Sequence, residues 1–278
     1  MNCQWDKLLA ILPPQIRTEV DRQGRQTMRE LRLRQGEPPR IHGADGVKTL
    51  SGAVTPEDIS FVVNTASRYS PWASTTISSG YLTAPGGHRI GLCGVCVGQK
   101  GSVTGMREIS SLCIRVARSF PGIGEGAPAV GSLLILGAPG AGKTTLLRDL
   151  IRGRSQRGQN VAVVDERGEL FPGPGFPKGP NTDVLTGCSK QEGIDMALRT
   201  MGPQCIAVDE ITSQEDCDSL AAACWCGVEL LATAHAASSA DLRRRKVYRP
   251  LVESGLFSSV LVLSQDQHWH LEEVAGCT

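Results

Sequence analysis

Aromatic residues are scarce in this chain of 278 residues, because phenylalanine, tryptophan and tyrosine together make up only 4% of it. Single-stranded nucleic acids are commonly held by bases stacked on aromatic rings, so the composition makes a nucleic-acid partner an unfavoured interpretation. The sequence also lacks any uninterrupted apolar run near the roughly 18 residues of a membrane-spanning helix. Its first residues lack the basic and then apolar layout of a secretory signal. We therefore expect a cytoplasmic protein.

The chain has almost no excess of charge, with a formal net charge of +1 at pH 7. Residues 1–125 carry 15 basic and 10 acidic side chains, whereas residues 126–278 carry 14 and 18. The basic excess of the first part could serve an anionic partner, but a difference this small is more typical of an ordinary solvated surface. Charge alone therefore indicates no partner.

Ten cysteines are scattered along the chain, and several lie inside apolar runs. Because nothing indicates export, we expect them to be reduced thiols. Cys93 and Cys96 form a C-x-x-C that could be half of a zinc site, but Cys224 and Cys226 have the wrong spacing for the other half. The favoured interpretation is that Cys93 and Cys96 are small buried apolar residues.

A stretch rich in glycine and proline, residues 121–131, predicts a linker between two folded units. We place the boundary at residue 125, which gives domains of residues 1–125 and 126–278. In the first domain, Thr-Pro-Glu-Asp at residue 55 predicts the start of a helix that runs to residue 73. Partly alternating runs at residues 80–83, 88–97 and 111–117 predict strands. The first domain is therefore predicted to be a small α+β unit.

The second domain contains short, continuous apolar runs, which are typical of parallel strands buried on both faces. They occupy residues 132–137, 160–166, 205–210, 228–235 and 258–264. Amphipathic segments at 146–154, 191–201 and 214–226 predict crossover helices. The last run is followed by HWHLEEV, residues 268–274, which predicts a terminal hairpin at the edge of the sheet.

One segment matches the phosphate-binding pattern G-x-x-x-x-G-K-[ST], and it lies between an apolar strand and a helix as the motif requires. Glycines let backbone N–H groups surround phosphate oxygens, and the following helix presents its positive dipole end. A plain glycine-rich turn is the less favoured alternative. The expected nucleotide-binding residues are Gly137, Ala138, Pro139, Gly140, Ala141, Gly142, Lys143, Thr144 and Thr145.

The residue types around this loop predict binding of ATP with Mg²⁺. Lys143 would bring its charge to the β- and γ-phosphates, and Thr144 would ligate the metal. The motif also needs an acidic residue at the end of a neighbouring strand, which the run at residues 205–210 provides. Asp209 would then hold Mg²⁺, and Glu210 would polarise the attacking water.

Further candidates follow two other predicted strands. Asp165 and Glu166 come directly after the run at residues 160–164 and could also face the γ-phosphate or its water. The alternative is a surface turn in which Arg167 pairs with an acid. His235 ends the run at residues 228–235, where it could sense the γ-phosphate, although a single histidine is usually structural.

The run MALRTMGPQCIAVDEI followed by GVELLATAH resembles the type II and type IV secretion ATPases. Within that superfamily the chain is most similar to the stage III sporulation protein AA family, in LRLRQGEPPR, GHRIGLCG, ISSLCIRVAR, VVDERGEL, TDVLTGC and the P-loop with its LLRDLIR tail. The resemblance implies a RecA-like P-loop NTPase domain with a mainly parallel sheet, preceded by a smaller α+β N-terminal domain. The chain departs from the superfamily at Gln204 and Asp209, so the identity of the catalytic acid stays open.

The resemblance further implies a homohexameric ring with nucleotide between the two domains, and arginines of the first domain that reach the phosphates. By position these are Arg115 and Arg118, and Arg199 is another candidate. The implied role is an ATP-driven motor that docks on membrane channel proteins between mother cell and forespore. A nucleic-acid-stimulated ATPase and a nucleotide-binding scaffold are the alternatives.

Overall fold

A computed structural model of the chain describes residues 3–43, 45–68, 80–99, 102–173, 175–249, 251, 254–264, 266 and 268–272. The chain divides into two compact units. The first comprises Met1–Ser119 with Pro172–Gly175, and the second comprises Phe120–Phe171 with Phe176–Thr278. Within the described residues, none of the helices has the length and apolar character needed to span a bilayer.

The first unit contains a six-stranded antiparallel sheet with strand order β3-β2-β1-β6-β5-β4. This is the predicted α+β arrangement. Its elements are α1 (Trp5–Ala10), α2 (Pro14–Gly24), β1 (Met28–Arg34), β2 (Arg40–Gly43), β3 (Gly46–Thr49), α3 (Pro56–Ala66), β4 (Tyr81–Thr83), β5 (Arg89–Gln99) and β6 (Ser102–Arg115).

Helix α3 begins where the sequence predicts it. The Thr55 hydroxyl accepts a hydrogen bond from the Asp58 N–H, and the Asp58 carboxylate accepts one from the Thr55 N–H. These two bonds satisfy backbone donors that have no partner inside the helix. The helix buries Ile59 and Val62 in the core of the unit. It ends at Ala66, and residues 69–73 of the predicted helix lie outside the described residues.

The prediction that Cys93 and Cys96 are buried is wrong, because both side chains are exposed. Strand β1 pairs with β6 only over residues 111–115, and β4 pairs with β5 only over residues 89–91. Beyond these pairings β5 and β6 continue as a two-stranded ribbon that carries Cys96, and Cys93 lies opposite Ser111 in the last row where β1 still pairs with β6.

The second unit contains a seven-stranded sheet with strand order β13-β12-β7-β11-β10-β8-β9. All neighbouring strands are parallel except the terminal pair β12 and β13, which form the predicted antiparallel edge. Residues 273 and 274 of that predicted hairpin lie outside the described residues. The elements are β7 (Leu133–Gly137), α4 (Lys143–Gln156), β8 (Val161–Asp165), β9 (Thr182–Thr186), α5 (Lys190–Thr200), β10 (Cys205–Val208), α6 (Gln214–Trp225), β11 (Glu229–Ala234), α7 (Ser239–Arg244), β12 (Ser259–Leu263) and β13 (Trp269–Glu272).

The two faces of this sheet explain its continuous apolar strands. On β7, Leu133 and Ile135 belong to the core beneath α4, whereas Leu134 and Leu136 belong to the core beneath α5, α6 and α7. Because successive side chains of a strand point to opposite faces, a strand covered on both sides needs apolar residues at every position. The unit therefore has the predicted RecA-like α/β architecture.

The predicted linker, residues 121–131, is fixed to α4 within the second unit. The N–H groups of Gly122 and Gly124 both donate to Asp149 Oδ2 over 2.9 Å. At the other end, Arg154 Nη2 donates to Gly131 O over 2.5 Å, and the Gly131 N–H donates to Glu229 Oε1 over 2.8 Å. The compact units divide between residues 119 and 120, whereas the domain limits 1–125 and 126–278 stay a prediction.

Candidate active site

Backbone geometry accounts for three glycines of the loop between β7 and α4. Gly140 and Gly142 have φ angles of +78° and +104°, which side-chain-bearing residues rarely adopt. Gly137 is required for a different reason, since a Cβ there would lie 2.8 Å from Leu263 O. Gly142 is the residue before the first turn of α4, so the loop leads directly into the N-terminus of that helix. This is the strand, turn and helix setting of a phosphate-binding loop.

Lys143 points back into the loop. Its Nζ donates to Gly137 O over 2.9 Å, to Ala138 O over 3.0 Å and contacts His235 Nδ1 at 2.9 Å. Burial lowers the pKa of the Lys143 ammonium, and the carboxylates of Glu210 and Asp209 act in the opposite direction. An ammonium has three N–H donors, and these contacts use all of them.

Asp209 accepts hydrogen bonds from two hydroxyl groups, one at the start of α4 and one on β11. Thr144 Oγ1 donates to Asp209 Oδ2 over 2.9 Å, and Thr233 Oγ1 donates to Asp209 Oδ1 over 2.9 Å. Hydroxyl and carboxylate oxygens are the ligands that Mg²⁺ prefers. Thr144 and Asp209 therefore form a donor pair that fits the predicted metal site.

The sequence interpretation is wrong on one point of topology, because β10 is not next to β7. Strand β11 lies between them and pairs with both. Its carboxyl end supplies Thr233 and, one residue after the strand, His235. The sheet order thus brings the tips of three parallel strands together: the predicted phosphate-binding loop after β7, Asp209 and Glu210 after β10, and His235 after β11.

Glu210 has an unusual backbone for a residue with a side chain, with a φ angle of +20°. Its N–H donates to Thr233 Oγ1 over 2.9 Å, which holds that conformation. Its Oε1 lies 3.1 Å from His235 Nε2. A neutral imidazole with its proton on Nε2 satisfies both histidine contacts, since Nδ1 then accepts from Lys143 and Nε2 donates to Glu210. Strained residues that the surroundings hold in place are typical of functional sites.

Asp165 is buried, and its side chain has a structural role. Its carboxylate accepts backbone N–H bonds from Glu169 and Leu170 over 2.8 Å and from Phe171 over 3.3 Å. Burial raises the pKa of Asp165, and the backbone donors oppose that effect. The side chain thereby fixes the turn after β8.

Arg148 supports the same turn from α4. Its guanidinium donates to the carbonyl oxygens of Glu169 and Leu170 and lies 4.6 Å from the ring centre of Phe176. Burial lowers the pKa of Arg148 to about 10. The P-loop helix and the turn that carries Glu166 are therefore held together.

Glu166 does not pair with Arg167, as the alternative interpretation proposed, but with Lys190, whose Nζ lies 2.9 Å from Glu166 Oε2. The two line a cleft together with Asp165, Glu169, Asp209 and Glu210. Lys190 was not among the residues predicted for the site. The available signal was the pattern Ser189-x-x-Glu192, a capping box that places residue 190 at the start of a helix.

Arg199 lies away from the edge of the parallel sheet that carries the loop between β7 and α4. It belongs to the last turn of α5, which ends just before the amino end of β10, whereas the P-loop lies at the carboxyl ends of the strands. Its side chain is 74% exposed and pairs with Asp195 over 2.8 Å. A role for Arg199 at phosphate stays a prediction.

Arg115 and Arg118 lie in the first unit. Arg115 is 72% exposed, and its Nε is 4.0 Å from Glu30 Oε2. Arg118 Nη2 donates to the carbonyl oxygens of Arg25 and Met28 over 3.1 Å each. Arg118 therefore supports its own unit, and the phosphate-binding role of both arginines stays a prediction.

Solved structures with a similar fold include a pilus retraction motor and an ATPase. The pilus retraction motor PilT with bound ADP has a TM-score of 0.64 at 18% sequence identity, covering 89% of this chain and 76% of that one. The ATPase DotB of Legionella pneumophila has a TM-score of 0.58 at 18% identity, covering 88% and 75% of the two chains. At this identity the similarity shows the fold.

Comparison of sequences identifies a narrower group of relatives than comparison of folds. The chain is 36% identical over 281 residues to the stage III sporulation protein AA of Bacillus subtilis (strain 168), covering 94% of this chain and 91% of that protein. The profile of the family described as "Sporulation stage III, protein AA" matches residues 3–276. The chain therefore belongs to the sporulation stage III protein AA family.

Proposed function

We propose that this chain is a Mg²⁺-dependent ATPase that hydrolyses ATP to ADP and phosphate. The observation that supports the proposal best is the hydrogen-bonded set at the P-loop edge of the parallel sheet. There Lys143 lies in the loop, Thr144 contacts Asp209, and Glu210 follows at the next position. These are the residue types that phosphoryl transfer to water requires.

In this proposal each side chain has one task. Thr144 and Asp209 hold the metal ion, and Mg²⁺, when bound, supplies positive charge that offsets the negative charge of the phosphates. Glu210 accepts a proton from the attacking water. Lys143 binds the β- and γ-phosphates, and because its three donors are already engaged, at least one of its present contacts is exchanged for phosphate. His235, which contacts both Lys143 and Glu210, would respond to that exchange.

We further propose that the chain works as a motor, assembled as a homohexamer on the cytoplasmic side of membrane channel proteins of the sporulation apparatus. Membership in the sporulation family supports the cellular setting, and the similarity in fold to a pilus retraction motor supports the motor role. Nucleic acid is not the proposed partner.

The test is phosphate release by the purified full chain, with Mg²⁺ and with the metal removed by EDTA. Lys143→Ala removes the phosphate-binding charge, so we expect turnover to fall by about 10²-fold or more and ATP affinity to fall with it. Lys178→Ala, which changes an exposed lysine of the same unit, should retain both. Molecular mass with a non-hydrolysable ATP analogue should correspond to a hexamer.

Two outcomes would contradict the proposal. A folded Lys143→Ala protein that turns over ATP at the rate of the unmodified chain would disprove the P-loop assignment. Strong stimulation of turnover by DNA or RNA would instead favour a nucleic-acid translocase.

A further inference from the structure

Lys190 contacts two carboxylates, Glu166 on the turn after β8 and Asp216 in the first turn of α6. It is the first residue of α5, and its side chain is only 9% exposed. Its Nζ lies 2.9 Å from Glu166 Oε2, on the turn after β8, and 3.5 Å from Asp216 Oδ2, in the first turn of α6. Three elements of the second unit therefore meet at one ammonium group.

Asp216 extends this contact to the segment that follows Glu210. Its Oδ2 accepts the N–H of Thr212 over 2.8 Å and the N–H of Ser213 over 3.2 Å. The Thr212 hydroxyl donates to the same oxygen over 3.2 Å. The chain from Glu210 to the start of α6 is thus held by the carboxylate that Lys190 contacts.

Two electrostatic effects make a lysine unfavourable at position 190. The N-terminus of a helix carries a partial positive charge, so a lysine in the first turn is unfavourable there. Burial of its ammonium adds a further cost unless carboxylates surround it. Glu166 and Asp216 provide that environment, and without the ammonium these two carboxylates would repel each other and the neighbouring acids of the cleft.

We propose that Lys190 is a positioning residue for ATP hydrolysis, which keeps the turn of Glu166 and the segment after Glu210 in fixed relation. The inference rests on the proposed ATPase function. Lys190 acts through the carboxylates it holds and not through the phosphates. Its removal should therefore affect the chemical step more than nucleotide binding, because small displacements of catalytic groups cost rate.

The experiment compares Lys190→Met, Lys190→Arg and Lys178→Met in the full chain. For Lys190→Met we expect kcat to fall by about 10- to 100-fold, while the Kd for a fluorescent ADP analogue changes by less than about threefold. Lys190→Arg restores the charge and should recover much of the lost kcat. Lys178→Met is the control for loss of a lysine at the surface and should have neither effect.

Glu166→Gln tests the same contact from the other side, and it keeps the inference testable if Lys190→Met does not fold. We expect it to lower kcat by about tenfold with nucleotide affinity retained, and the two changes together to cost less than the product of their separate effects. A Lys190→Met protein with unchanged kcat overturns the inference alone, as does one that loses nucleotide binding and turnover equally. A full chain that shows no turnover overturns the ATPase proposal and this inference with it.

Discussion

Glu210 and Glu166 both follow a buried strand, but their surroundings differ. Glu210 follows Asp209, the proposed metal ligand, and its backbone is held by Thr233 in a strained conformation. Glu166 is held by an ammonium group. A general base must reach the water that attacks the γ-phosphate, so we assign this role to Glu210, the residue next to the proposed metal ligand.

We therefore expect Glu210→Gln to retain ATP binding and to slow hydrolysis by at least about 10²-fold, because the carboxamide fits the site but does not accept a proton. Single-turnover phosphate release and nucleotide affinity measure the two effects separately. Glu166→Gln is the matched variant and should lose much less. A reversed order, with Glu166→Gln stalled and Glu210→Gln active, would move the general base to the turn after β8.

Single residues show where sequence reasoning succeeds and fails. The glycines of the P-loop were predictable, because φ angles and close backbone approach demand that residue type locally. The contact between Thr144 and Asp209 was predictable from motif chemistry. Lys190 was not, since its partners come from two distant segments that meet only in the folded sheet. Cys96 was assigned to the interior because its apolar neighbours did not reveal an uncovered ribbon.

At the scale of elements, three of the helices in the described part of the chain begin with reciprocal capping bonds. The pairs are Thr55 with Asp58 in α3, Ser189 with Glu192 in α5 and Ser213 with Asp216 in α6. The α5 and α6 caps lie at the carboxyl edge of the parallel sheet, next to the candidate site. The α3 cap lies in the first unit, so its effect on stability can be measured apart from catalysis.

Thr55→Ala should lower the free energy of unfolding by about 1 kcal/mol, because the Asp58 N–H loses its acceptor while the carboxylate of Asp58 stays buried. Urea denaturation followed by circular dichroism measures this change. Ser60→Ala, at an exposed position of the same helix, is the control and should be neutral within a few tenths of a kcal/mol. Equal losses in both variants would mean that the cap contributes nothing beyond helix propensity.

The elements of the second unit were predictable because strands buried on both faces leave continuous apolar runs. Two elements were not predicted: β9, an edge strand whose residues are mostly not buried, so that its sequence lacks such a run, and α7, a helix of only six residues. The order of the strands was not predictable. Placement of β11 between β7 and β10 depends on contacts between segments far apart in the chain, which no local pattern encodes.

At the scale of the whole molecule, the predicted participation of the first unit can be tested through Arg115. A guanidinium that stabilises charge on the transferring phosphoryl group affects rate more than affinity, so Arg115→Ala should lower kcat by on the order of 10³-fold with a much smaller change in ATP binding. Arg107→Ala, an exposed arginine of the same strand, is the control. Arg118→Ala is less informative, since it also removes bonds to two backbone carbonyls.

The second unit alone should bind nucleotide weakly and turn over hardly at all. Such a fragment is best begun at residue 120, because a start at residue 126 would remove the two glycine N–H groups that Asp149 accepts. Steady-state ATPase rates of the fragment and the full chain give the comparison. Equal rates would mean that the first unit serves only for docking and that Arg115 is a solvated surface residue.

The linker fastened to α4 gives that helix a mechanical property. Lys143 at its start belongs to the proposed phosphate site, and Asp149, which accepts hydrogen bonds from Gly122 and Gly124, follows after six residues, or roughly 9 Å along the axis. A hydrogen-bonded helix resists stretching over so short a distance. If nucleotide binding shifts α4 along its axis, Lys143 and Asp149 should therefore move together, and the segment bonded to Asp149 should move with them.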